Sequence, residues 1–434
     1  MRRKCMEKTG IKKNFFTIVL LSFAGSIIYG LPYFRSYYYD AYQELYHLTN
    51  VQMGLLGSAY GLLGVFSYIL GGVLADKFKA KKLLIMSMVA TGLGGLLHLV
   101  FTDFKALFVI YGLWGFTSLL TFWPALMKIV RIQGTEEEQS RAYGIFEGGR
   151  GVFNAAHLAV ATAIFGVFEA KALPALGIKG IIIFYSVAPI IVAIIFIFIL
   201  KEPETIKSDG KAEKVSWAQI ARVLKMPVVW FVVCLMFTSY VFNMSSYYFT
   251  PYASNVIGTS AVVAAVLTVL AQYARPFAST IGGFSADRFG KGEIMAGGFF
   301  LMAIGMVAVL GASRLSGSTQ MVVMVAACII IYVGMFSNFG LYFSFLTEGG
   351  VPLEVSGIAI GVASTFGYLP EVLCPLIAGK TLDVYEGAKG YYIYFTFMLV
   401  MAVLGLVLSV IWSRTYGKRY KEKMRLEKEA EGQK

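Results

Sequence analysis

Charge is scarce in this sequence. Of its 434 residues only 15% are Asp, Glu, Lys or Arg, against about a quarter in a soluble domain. Histidine and cysteine are scarcer still, at three and four. The cysteines, Cys5, Cys234, Cys328 and Cys374, show no C-x-x-C spacing, and three lie in apolar stretches. They read as small apolar side chains rather than a disulfide or metal set. There is no G-x-S-x-G, P-loop or H-E-x-x-H, so hydrolase, nucleotidase and metalloprotease chemistry have no residues to stand on. The expectation is a protein that is not an enzyme and needs no cofactor or metal.

What fills the space is apolar: 57% hydrophobic residues and a mean hydropathy of +0.69. The apolar residues fall in twelve runs, near 14–39, 51–75, 83–101, 106–130, 142–168, 180–200, 227–250, 260–286, 294–312, 321–346, 357–379 and 391–412. About 20 residues of helix cross about 30 Å of hydrocarbon. Lipid offers no partner to unpaired backbone, so each run predicts a helix. The fold class is an all-α membrane protein with twelve transmembrane helices in two pseudo-symmetric six-helix halves. The first run is too long for a cleaved signal peptide and ends in no A-x-A site.

The two halves show in a repeat. Gly71-Gly72-Val73-Leu74-Ala75-Asp76-Lys77-Phe78 returns 211 residues later as Gly282-Gly283-Phe284-Ser285-Ala286-Asp287-Arg288-Phe289. Each copy closes an apolar run and opens a charged turn, the mark of a duplicated membrane unit. Both copies resemble the signature loop G-x-x-x-D-R/K-x-G-R/K-R/K of the major facilitator superfamily. The resemblance implies transport by alternating access. It implies that Gly72, Asp76, Lys77, Gly283, Asp287 and Arg288 belong to gating loops between helices 2 and 3 and between helices 8 and 9.

Basic residues set the expected orientation. With both termini cytoplasmic, the inner segments hold 28 of the 38 Lys and Arg, and the outer loops hold six. That bias follows the positive-inside rule. It accounts for the net charge of +13 through the lipid bilayer and without nucleic acid. The predicted boundaries are 1–200 for the N-terminal half and 201–226 for a cytoplasmic linker with an interfacial helix. The C-terminal half takes 227–412 and a basic tail 413–434. The predicted location is a bacterial inner membrane, crossed many times by a monomer.

Polar residues inside apolar helices mark candidate sites, since an ionised side chain there costs about 2.5–3.5 kcal/mol or more. In helix 1, Pro32 predicts a kink, and Tyr33 and Arg35 stand in an aromatic cluster. That cluster is either an interfacial belt or an anion entrance. In helix 5, Glu147, Arg150, Asn154 and His157 share one face at steps of three and four. The stripe is either a gate-closing ion pair or a substrate and proton site. Helix 7 offers Asn243 and Tyr247, helix 8 Gln272 and Arg275, helix 10 Asn338, and helix 11 Tyr368 and Glu371. Glu371 reads equally as the partner of Arg275 or as a proton acceptor. His98 in helix 3 reads as a packed histidine.

Arg35, Lys128, Arg150 and Arg275 outnumber Glu147 and Glu371 among these interior charges, and guanidinium suits carboxylate, phosphate or nitrate. The expected substrate is therefore a small anion, with a proton or phosphate as co- or counter-transported partner. Arg35, Trp123-Pro124 and Phe366-Gly367-Tyr368-Leu369 resemble the organophosphate:phosphate antiporters. Helix 7 here lacks the arginine those carriers place there. Arg275-Pro276 resembles the nitrate and oxalate-type carriers. Tyr37-Tyr38-Tyr39-Asp40, Leu120-Thr121-Phe122-Trp123 and Glu147-Gly148-Gly149-Arg150-Gly151 resemble the YihN-like bacterial branch. The alternatives are a nitrate/nitrite carrier, or a membrane receptor for a sugar phosphate that transports little.

Overall fold

A computed structural model of the chain describes residues 11–131, 133, 139–200 and 217–431. The elements in order are α1 Ile11–Ile27, α2 Gly30–Tyr37, α3 Tyr39–Tyr46, α4 Asn50–Lys77, α5 Ala80–Val100, α6 Phe104–Trp114, a π-helical segment Gly115–Phe122, and α7 Trp123–Arg131. Then come α8 Gln139–Glu169, α9 Pro174–Ile199, α10 Trp217–Leu224, α11 Pro227–Ser245, α12 Phe249–Tyr252 and α13 Ala261–Phe289. The chain continues through α14 Lys291–Ala312, α15 Gly317–Phe339, α16 Ser344–Glu348, α17 Leu353–Gly367, α18 Pro370–Val384, α19 Ala388–Trp412 and α20 Lys418–Glu431. No strand occurs among the described residues.

Ten helical stretches among the described residues are long and apolar enough to cross a membrane, and the bent pair α1 and α2 makes eleven. Helix α4, 28 residues long, follows the second apolar run. Its side chains from 65 to 77 lie outside the described residues. The twelve helices expected from the apolar runs are thus accounted for. Their outward faces are apolar: Phe198, Phe277 and Phe284 are 81%, 71% and 76% exposed. Only hydrocarbon suits such a surface.

Two compact units divide the chain, one of Met1–Leu48 with Ala59–Asp209, the other of Thr49–Ser58 with Gly210–Lys434. The division differs from the hydropathy boundaries at one place, because the first turns of α4 group with the second unit. There Asp383 accepts from the backbone N–H of Asn50 at 2.9 Å and of Val51 at 2.7 Å. A carboxylate thus caps the donors a helix start leaves unpaired.

Small residues set the packing in each unit, as lipid gives helices no hydrophobic reason to associate. In the first, Gly30 leaves the room that the Tyr185 ring of α9 occupies, and Gly95 does the same for Ser186. In the second, α14 and α15 meet at Gly298 and Gly334. The kink expected at Pro32 appears as a 51° bend between α1 and α2. The break falls at Ile28–Tyr29, where the carbonyl that Pro32 cannot bond would have needed a partner.

Candidate functional site

In each unit an arginine lies among two or more aromatic rings, Arg150 in the first and Arg275 in the second. In the first unit, α8 brings Arg150 against α1, and its Nε donates to the Gly25 carbonyl at 2.9 Å. The guanidinium carbon lies 4.6 Å from the centre of the Trp123 ring, 5.7 Å from Phe146 and 5.9 Å from Tyr29. Such contacts contribute about 0.5–1 kcal/mol each at an exposed site and about 2 kcal/mol when desolvated. Two turns along α8, His157 is buried. Its Nε2 meets Ser26 Oγ and its Nδ1 meets Tyr185 OH, both at 2.9 Å. Arg150 and His157 therefore share the face that packs on α1, as their spacing predicts. The side chain of Glu147 lies outside the described residues.

Arg35 has a different setting. It is 7% exposed, with its guanidinium 5.3 Å over Tyr111 of α6. Beside it, Phe34 packs edge-on to Tyr42. His98 Nε2 hydrogen-bonds with Tyr42 OH at 2.7 Å and its Nδ1 with Tyr46 OH at 2.8 Å, and the ring stacks on Trp114. The sequence alone groups Arg35 with the other interior cations. In the structure its shell is this tyrosine and histidine cluster, while Trp123, Phe146 and Tyr29 surround Arg150. Tyr33 is half-buried and packs edge-on to Tyr60.

In the second unit, α13 carries Arg275, its guanidinium 5.8 Å from the Phe336 ring and 5.7 Å from Phe339 of α15. Phe339 adjoins Tyr240 of α11 at 5.9 Å, and Tyr240 adjoins Tyr368 at 4.6 Å. Tyr240 OH donates to Glu371 Oε2 at 3.4 Å. Arg275, Phe339, Tyr240, Tyr368 and Glu371 thus form one connected group, with Tyr368 in electrostatic reach of both charges. Tyr240 joins the acid to the aromatic pair, a role that its spacing from Asn243 and Tyr247 does not reveal. Asn243, Tyr247 and Gln272 are half-buried. Asn338 is wholly buried against Gly298 of α14, and neither polar atom of its side chain has a hydrogen-bond partner. It therefore lies at the α14–α15 contact, one residue before the phenylalanine that flanks Arg275.

Of the signature loops, the surroundings of Gly72 and the side chains of Asp76, Lys77 and Asp287 lie outside the described residues. Lys81 donates to the Ile197 carbonyl at 2.8 Å, at the end of α9. Gly283 has open space where a Cβ would stand. Arg288 is exposed and lies 5.3 Å over the Phe289 ring. Just beyond, an unforeseen cluster forms. Glu348 accepts from Trp412 Nε1 at 2.9 Å and lies 3.8 Å from Lys291 Nζ, and Lys421 pairs with Glu293 at 2.6 Å. The charged tail helix α20 is thus tied to the second loop through Lys421. No three His, Cys, Asp or Glu converge as a metal site among the described residues.

Known proteins resemble the whole chain. Inner membrane protein YihN of Escherichia coli is 28% identical over 96% of this chain and 99% of its own length. Inner membrane protein YqcE of the same organism is 26% identical over 91% and 93%. Among solved structures, a bacterial homologue of the human lysosomal transporter Spinster aligns with a TM-score of 0.71 at 15% identity, covering 93% of this chain and 98% of that one. The nucleoside transporter NupG aligns with a TM-score of 0.69 at 15% identity, over 92% and 98%. These two show a shared fold. The Major Facilitator Superfamily model matches residues 14–375, and the chain therefore belongs to that superfamily of membrane transporters.

Proposed function

We propose that the protein is a secondary active transporter that carries a small organic or inorganic anion by alternating access. The observation that carries the reading is the pair of aromatic-flanked arginines, Arg150 in one unit and Arg275 in the other. A guanidinium retained at membrane depth needs a counter-charge, and its planar fork fits carboxylate or phosphate oxygens. Flanking rings give each half-buried fork an apolar wall, and a lower local dielectric strengthens its attraction for an anion. Tyrosine hydroxyls supply neutral donors.

In this reading Arg150 and Arg275 are each the anion-receiving group of their own unit, and Glu371, held by Tyr240, accepts the coupling proton. The signature loops bias the cytoplasmic gate, with both termini on the cytoplasmic side of the inner membrane. Arg35, enclosed by Tyr111, stabilises its own helix cluster instead.

A thermal-shift panel on the detergent-purified protein tests this. The panel holds sugar phosphates, glycerol phosphate, dicarboxylates, sulfonates and nitrate, with neutral sugars and cationic drugs as controls. A compound at a hundred times its Kd stabilises the folded state by about 2.7 kcal/mol, a readable rise in Tm. One anion class should raise Tm in the wild type and fail to do so in Arg275→Ala. Shifts with neutral or cationic compounds alone would mean that the arginines are structural.

A further inference from the structure

A π-helical segment joins α6 to α7. It spans the eight residues Gly115–Phe122, and the N–H of Trp123 bonds to the Ser118 carbonyl, five residues back. Runs this wide are rare, and they concentrate at functional sites. Its position has local causes. Pro124, the second residue of α7, has no N–H for the Leu120 carbonyl, and its ring needs space there. At the other end Gly115 admits the backbone of Tyr60, which a Cβ would meet at 2.6 Å.

The wide turns leave carbonyls that lipid cannot satisfy, and hydroxyls take them up. Ser118 Oγ donates to the Trp114 carbonyl at 2.7 Å, and Thr121 Oγ1 to the Thr117 carbonyl at 3.0 Å. The same hydroxyls form a ladder to neighbouring helices. Thr117 meets Thr91 at 2.7 Å, Thr121 meets Ser87 at 2.7 Å, and Ser118 meets Tyr60 at 3.2 Å. All six side chains are buried. The first residue beyond the segment is Trp123, the ring nearest Arg150.

We infer that this segment positions the Arg150 group: the hydroxyl ladder from Thr117 and Thr121 to α5 holds the π register that lays Trp123 over the guanidinium. An α-helix turns about 100° per residue. Rewinding the segment by one residue would carry Trp123 off Arg150 while leaving α6 in place. Thr117 and Thr121 are then positioning residues, reaching Arg150 only through Trp123. The inference deepens the anion-binding reading of Arg150 and rests on it for its meaning in transport.

The test needs no substrate, so its outcome is separate from that of the anion panel. The full-length protein is labelled with 5-fluorotryptophan, and the Trp123 resonance is assigned among the five by its loss in Trp123→Phe. Arg150→Gln calibrates the shift that follows loss of the cation. In Thr117→Val/Thr121→Val the Trp123 resonance should move toward the Arg150→Gln position, the Trp412 resonance should stay, and Thr→Ser at both sites should restore the wild-type spectrum. Should the double variant fail to fold, the single valine variants give the same reading. A Trp123 resonance unmoved by loss of the hydroxyls would overturn the inference, as would one that moves equally in the serine variants.

Discussion

Arg150 and Arg275 are legible in the sequence because a charge within an apolar run has few reasons to be there. Their ring partners are not legible, since aromatics are frequent throughout and only the fold selects Trp123, Phe146, Phe336 and Phe339. A lysine keeps the charge and loses both the planar fork and the stacking. Arg150→Lys should therefore weaken the stabilising anion by about tenfold, or about 1.4 kcal/mol, read as a right-shifted titration of Tm. Unchanged affinity would mean that Arg150 acts as a point charge only. Glu371→Gln keeps the acceptor for Tyr240 and removes the proton site. Uptake driven by a proton gradient should fall, while exchange of the anion at equal pH on both sides persists. Loss of both together would assign Glu371 to structure. Arg35 shows the limit of reading a charge from sequence alone: its place in helix 1 is plain, but Tyr111 over its guanidinium and His98 against the neighbouring Phe34 come from two other helices.

The helices were foreseeable as elements because hydrocarbon leaves the backbone one solution per 20-residue run. Pro32 likewise announced its bend. The π segment was not foreseeable. Its causes, Gly115, Pro124 and paired hydroxyls across two helices, are each ordinary until α5 is known to lie alongside. The glycines of α14 and α15 belong to the same scale. A side chain at Gly298 would run into Asn338 and stand 2.8 Å from the Gly334 carbonyl. Gly298→Val should destabilise the protein by about 1–3 kcal/mol through overpacking, seen as a lower Tm without change in the anion titration. A variant as stable as wild type would show that α14 and α15 separate freely there.

For the whole molecule, the sequence repeat correctly announced a duplicated transporter, and the 28-to-6 distribution of basic residues gives its expected orientation. The contact that ties the tail helix to the second signature loop, Lys421 to Glu293, was hidden. Residues far apart in the chain carry no periodic signal. The proposed transport of an anion through the interior arginines sets this protein apart from a carrier of neutral or cationic compounds. It is tested most directly by counterflow in proteoliposomes, with the anion that best raises Tm, a neutral sugar and a cationic drug supplied in parallel. The anion alone should accumulate transiently, and Arg275→Ala should abolish that accumulation. Accumulation of the sugar or the drug, with the anion excluded, would contradict anion transport.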